Sequence, residues 1–191
     1  MAPLFELRWG NEEEECGVMA IIFELAINFG DKVDAAGAAA RTAREIMPTT
    51  LQAGRHSITL QPPVVIELGP YTGLSIMPIG VGYGAVGDHG IPRIKLTAAE
   101  LTELAHQMYR LLANLDGYIT AKVGWEPEML LDPTELKSDW SDELHQGTVD
   151  GLVIADALYD ELGLNDKYSV FRPGYRWIPY SGESPSALTA D

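Results

Sequence analysis

The chain is short of positive charge, of cysteine and of long apolar runs, and each shortage excludes a class of protein. Its 191 residues hold 13 Lys and Arg against 28 Asp and Glu, a formal charge of −15. Like charges repel over a Debye length of about 8–10 Å, which disfavours non-specific binding to DNA, RNA or anionic lipid. The single cysteine, Cys16, allows no internal disulfide. It follows four glutamates, which would raise a thiol pKa and weaken a thiolate nucleophile. With no basic segment leading into an apolar one near Met1, a reducing cytoplasm is the expected compartment. The longest apolar run, residues 18–23, falls far below the ~20 residues that span a bilayer.

Patterns of catalytic or metal-binding residues are equally scarce. Gly82-Tyr83-Gly84-Ala85-Val86-Gly87 satisfies G-x-G-x-x-G, but a dinucleotide site needs a helix opening directly afterwards. Here Asp88-His89-Gly90-Ile91-Pro92 intervenes, so a flexible loop fits the spacing better. Histidines stand at 56, 89, 106 and 145 with no pair at ligand spacing, and a metal would need convergence of separate segments, such as Asp88, His89 and His145. Ser75 lies in Gly73-Leu74-Ser75-Ile76-Met77 and lacks the second glycine of a nucleophile elbow. The sequence therefore assigns no catalytic residue, no metal ligand and no cofactor.

What is present is the balance of a folded protein, 46% hydrophobic and 21% charged. The elements predict one α+β domain over residues 1–180, a mixed or antiparallel sheet with helices packed on it, and a flexible tail at 181–191. Residues 3–9 alternate as a first strand. Residues 11–29 admit two readings: a helix capped by Asn11 with Val18, Ile21, Ile22, Leu25 and Phe29 on one face, or a buried strand over 18–28. The spacing slightly favours the helix. Residues 31–47 read as a helix with an alanine-rich face, stopped by Pro48. Strands follow over 55–68 and 71–81, the first placed at an edge by Pro62-Pro63 and the two joined at Gly69-Pro70.

Thr97-Ala98-Ala99-Glu100 is a capping box ahead of a stripe from Leu101 to Leu115, ended by Asp116-Gly117. A strand over 118–124 comes next, and Asp132-Pro133 opens another helix. A short apolar stretch at 152–155 leads into a helix over 156–162. Residues 168–171 and 175–178 then flank Arg172-Pro173-Gly174, a C-terminal β-hairpin about a type II turn.

Two segments suggest recognition. Around Trp125, Glu135, Asp139, Trp140, Asp142 and Glu143, aromatic rings alternate with acids, a mixture suited to meeting Lys and Arg on a partner. The other holds Tyr175 and Trp177, residue types favoured at interface centres. Both patterns are also those of elements that bury their rings and solvate their acids. Trp140 and Trp177 are the candidate anchors.

An acidic α+β chain ending in Phe171-Arg-Pro-Gly-Tyr-Arg-Trp-Ile-Pro-Tyr180 resembles, over residues 117–183, the immunity proteins of bacterial polymorphic toxin systems. The resemblance implies a cytosolic inhibitor that binds a cognate, basic toxin domain and blocks its active site. It carries no functional residue over to a particular position. Two other classes remain: a small enzyme using the loop Gly80 to Gly90 with His89 as acid or base, and an oligomeric structural or phage-encoded component.

Overall fold

A computed structural model describes residues 21–68, 70–83, 92–127 and 132–182. The expected first strand at 3–9, Cys16, His89 and most of the glycine-rich loop lie outside the described residues, as does the tail from 183 onward. Among the described residues, ten strands and five helices follow one another as β1 (Ile21–Asn28), α1 (Val33–Ile46), β2 (Thr50–Ala53), β3 (His56–Thr59), β4 (Val64–Leu68), β5 (Tyr71–Ile76), β6 (Gly82–Tyr83), α2 (Ala98–Leu112), β7 (Thr120–Trp125), α3 (Pro133–Ser138), α4 (Ser141–Gln146), β8 (Leu152–Ala155), α5 (Asp156–Glu161), β9 (Ser169–Arg172) and β10 (Tyr175–Trp177). The main sheet runs β4-β5-β1-β7-β8-β10-β9, with β6 pairing β1, and each of its pairings is antiparallel. A separate hairpin joins β2 and β3. The described residues thus form one α+β domain, and none of their helices is long and apolar enough to cross a membrane.

Residues 21–28 form a strand, not the helix that the spacing slightly favoured. Phe23, Leu25 and Ile27 alternate into the main core, while Glu24, Ala26 and Asn28 are buried on the opposite face. A strand covered on both faces reads as a continuous run, which periodicity alone cannot tell from a buried helix. The chain leaves β1 through a tight turn. Asn28 Oδ1 accepts the Gly30 amide at 2.7 Å, and Gly30 adopts φ +65°. A Cβ there would meet Ile119 Cδ1 at 2.6 Å, so both conformation and space require glycine.

Two hydrophobic clusters sit on the two sides of the sheet. The larger gathers the inner residues of β1, β5 and β7 with α1, α2 and the β2–β3 hairpin. Helix α1 meets it through Ala36, Ala39, Ala40 and Ala43, so the alanine face brings the helix close to β4 and β5. Val33, the first residue of the helix, is 63% exposed. The smaller cluster gathers Leu152 and Ile154 of β8 under Leu136 of α3, Leu144 of α4 and Leu158 of α5. Alternation along β8 divides it, since Val153 between those two residues belongs to the larger cluster.

Several expectations hold as written. Strand β4 is an edge strand directly after Pro62-Pro63, which could not have donated within a ladder. Pro133 begins α3, and the Asp132 carboxylate accepts the Thr134 amide at 2.7 Å. The C-terminal hairpin β9–β10 turns at Gly174 with φ +87°. The segment expected as one strand over 55–68 is two, β3 and β4, parted at Pro62-Pro63, and β3 pairs instead with β2, which the expectation did not include. At the start of the expected tail, the Ser181 hydroxyl donates to Asp150 at 3.1 Å.

The capping box is complete. Thr97 Oγ1 accepts the Glu100 amide at 3.3 Å, and Glu100 Oε2 accepts the Thr97 amide at 2.8 Å. These bonds to Thr97 hold the Glu100 carboxyl below its ordinary pKa, with His56 and Arg55 adding smaller pulls. A carboxyl more acidic in the folded state stabilises at neutral pH, and that stabilisation is lost as pH falls through the folded pKa. Thr97→Ala should lower stability by about 1 kcal/mol in denaturant unfolding. The same variant should raise the Glu100 pKa in an NMR titration; an unmoved pKa would assign its shift to another cause.

Candidate functional site

The acids of the chain are concentrated. Residues 132–166 contain ten Asp and Glu against one lysine, a net −9 of the chain's −15. Folding places this stretch over the second face of the sheet, where α3, α4 and α5 cover the smaller cluster. The helices are short and turn sharply. Helix α4 closes at Gly147, whose φ of +67° supplies the left-handed residue of a C-terminal cap. Their buried side is a single leucine each in α3 and α4, so the remaining positions face outward.

Five of the eight residues singled out from sequence come together here. Glu135 and Asp139 are exposed on and beyond α3, and Asp142 and Glu143 lie in the first turn of α4. Trp140 joins the two helices. It is half-buried against the smaller cluster, and its amide donates to the Glu135 carbonyl at 3.2 Å. The layer is fixed to the sheet at one side by the Tyr71 and Thr134 hydroxyls, 3.2 Å apart. Of the ten acids, two have a cation within ion-pair distance among the described residues. Glu161 meets Lys137 at 2.6 Å, and Asp156 meets Arg176 at 3.3 Å. Asp142 and Glu143 sit at the positive end of α4, where negative side chains are favoured. Asp132, the N-cap, and Glu135, in the first turn, stand in the same way at the positive end of α3.

The remaining three lie across the sheet. Trp125 in β7 packs edge-on to Phe23, with ring centroids 5.3 Å apart. Trp177 in β10 meets Tyr109 at 4.9 Å and Phe171 at 5.0 Å, half-buried beside α2. Tyr175 is buried, stacked on Tyr118 at 4.1 Å, and its hydroxyl donates to the Tyr118 carbonyl. The Arg172 guanidinium lies 4.5 Å from the Tyr175 ring centroid and meets Asp116 at 2.8 Å, tying the hairpin to the end of α2. Burial, ahead of every other influence, raises the Tyr118 and Tyr175 hydroxyl pKa values. The eight residues therefore do not form one patch, because β10 alternates its aromatic residues toward the larger cluster and Arg176 toward the smaller.

Sequence reasoning passed over a buried polar centre on the second face. Ala26 pairs with Ser75 on one side and Lys122 on the other, so these three form a row across β5, β1 and β7. The next row along β1 is Gly73, Asn28 and Thr120. Glu24, two residues from Ala26, receives the Ser75 hydroxyl hydrogen bond. Glu24, Asn28, Ser75, Thr120 and Lys122 are all buried. The Lys122 ammonium reaches to Gly124, 3.2 Å from where a Cβ would stand, and Gly124 is the partner of Glu24 across the ladder. Small residues at 26, 73 and 124 leave the room for these longer side chains. The available signal was a single charged residue within each of two strand-like segments, Glu24 in one and Lys122 in the other.

Among the described residues no three His, Cys, Asp or Glu side chains converge to hold a metal ion. Comparison of the chain with protein-family models, curated proteins and solved structures finds no match.

Three variants separate packing from recognition. Ser75→Ala removes a donor from a buried carboxylate and should cost about 1–3 kcal/mol in denaturant unfolding; a loss near zero would mean that Glu24 does not depend on it. Tyr175→Ala should cost about 3 kcal/mol through the lost ring contacts, whereas Asp139→Ala, at an exposed position, should leave the unfolding midpoint within about 0.5 kcal/mol.

Proposed function

We propose that the chain is a binding protein whose acidic layer over α3, α4 and α5 meets a basic protein partner. We further propose that this partner is a toxin domain whose active site the complex occludes in the cytoplasm, as the resemblance to immunity proteins implies. The observation that supports this reading is the concentration of charge. One layer carries a net −9, its carboxylates are mostly without cations among the described residues, and a half-buried tryptophan stands among Glu135, Asp139, Asp142 and Glu143. Carboxylates of this kind act at a distance. They raise the encounter rate with a cationic surface, while a ring at the centre supplies contact area once the rim is desolvated. Trp140 takes the anchor role; Trp177, on the other side of the sheet, belongs to a different surface.

The experiment is a pull-down from lysate of the source organism at low and then high salt, followed by binding kinetics with the partner retained at stoichiometric level. Asp139→Lys, Asp142→Lys and Glu143→Lys together should slow association about tenfold or more at low salt and progressively less as salt rises. Trp140→Ala should act mainly on dissociation. An association rate that ignores both the charge reversal and the salt would remove this layer from the interface.

A further inference from the structure

We propose that β4, the strand at one end of the main sheet, pairs with β4 of a second copy of this chain, joining the two sheets about a twofold axis. Among the described residues β4 pairs with β5 alone, so its other side offers backbone donors and acceptors to a further strand. Soluble proteins blunt such an edge with charge, proline or a bulge. Within Val64-Val65-Ile66-Glu67-Leu68 there is one charge, and the register against β5 runs without a bulge from Val64 opposite Ser75 to Leu68 opposite Tyr71. Val64 and Val65 are 45% and 44% exposed and alternate to opposite faces of the sheet. Exposed Val33 adds to the same margin. It shares a flank of α1 with Arg44, whose guanidinium donates to the Pro63 carbonyl at 3.0 Å, just ahead of β4. Three of the five exposed large hydrophobic residues described therefore gather at this end of the sheet.

Charge decides the occupant. Residues 31–68, which hold α1 and β4, carry four Lys and Arg against four Asp and Glu, a net zero inside a chain of net −15. Two copies that meet through their acidic parts repel, and repulsion is weakest along this neutral edge. A strongly basic partner gains no long-range attraction there. The opposite end of the sheet differs. Strand β9 also exposes a valine, Val170, but its neighbour β10 packs against α5, whose six residues include Asp156, Asp160 and Glu161.

Prolines and register define the pair. Pro62 and Pro63 before β4 and Pro70 after it have no N–H to donate, so added pairing spans β4 and stops. Antiparallel self-pairing uses the same edge on both copies, which closes the assembly at two. It also continues the pattern of a sheet whose own pairings are all antiparallel. An axis through Ile66 suits the side chains. Ile66 then meets its own copy and Val65 meets Glu67 of the other copy, so no two carboxylates stand opposite. The Leu68 end lies nearest α3, since Tyr71 opposite Leu68 contacts Thr134. Antiparallel pairing carries that end to the Val64 end of the other copy, which keeps the two acidic layers apart.

The test is sedimentation equilibrium of the full chain from low micromolar to submillimolar concentration, at low and high salt. A monomer–dimer equilibrium is expected, tighter at high salt because screening relieves the repulsion between two molecules of charge −15. Val65→Glu sets a second carboxylate against Glu67 of the other copy and should weaken dimerisation about tenfold or more. Adding Glu67→Lys to that variant should restore it, whereas Val170→Glu at the other edge should leave it unchanged. Val65 and Val170 are exposed, and unchanged melting of dilute protein would confirm that the variants are folded. In the unaltered chain, hydrogen exchange at the β4 amides should slow as concentration rises. A chain that stays monomeric throughout would overturn the proposal, as would dimers indifferent to Val65→Glu or β4 exchange that ignores concentration. Failure of the charge swap to restore pairing would remove the axis at Ile66.

Discussion

Strand β1 is covered on both faces, and the rest of the molecule is arranged by that constraint. Its odd-numbered residues need an apolar cover, which α1, α2 and the β2–β3 hairpin provide. Its even-numbered residues include a carboxylate and an amide, which can be buried only with partners. Full burial of residues such as Phe23, Leu25 and Ile27 stabilises by about 1.5–3 kcal/mol each. A slip of one residue in register would turn Glu24 and Asn28 into the larger cluster and expose those gains. The polar centre therefore fixes the pairing of β1 with β5 and β7 as firmly as the apolar face does. Buried polar groups often yield less stability than apolar replacements, and their contribution here is to register.

The second face divides along the same line. Toward β1 and β5 it is polar and floored by small residues; toward β8 it becomes apolar under α3, α4 and α5. Short helices can cover that apolar part because it is small. Each buries one or two side chains and leaves its other positions to solvent, where a run of acids carries little cost. Tyr109 links this side to the main core. Its hydroxyl, on the long helix α2, donates to the Gly151 carbonyl just ahead of β8 and accepts the Tyr180 amide just after β10. Gly151 must be glycine for this approach, since a Cβ would stand 2.1 Å from the Val123 carbonyl oxygen.

Local chemistry was legible where one residue type has one physical use. The capping box at Thr97, proline at the first position of α3 and Pro173-Gly174 in the hairpin each fix their element without help from the rest of the chain. Strand β1 was not legible as a strand, because burial on both faces erases the alternation that identifies a half-exposed one. The sites were less legible than the elements. Acids and tryptophans are neighbours in sequence over 125–143, yet β7 sends Trp125 to one side of the sheet while α3 and α4 lie over the other. Nor could the approach of β3 to residues 92–95 be read, since nearly forty residues separate them and they meet through the backbone hydrogen bonds at Ile79 and Ile94.

Charge is thus sorted by the fold more sharply than by the sequence. The acidic layer lies over the smaller cluster, while the alanine face of α1 and the β2–β3 hairpin pack into the larger one. A cationic partner of the proposed kind would be drawn to the acidic side of the sheet, where the arrangement of β1 and its covering layers sets the acids.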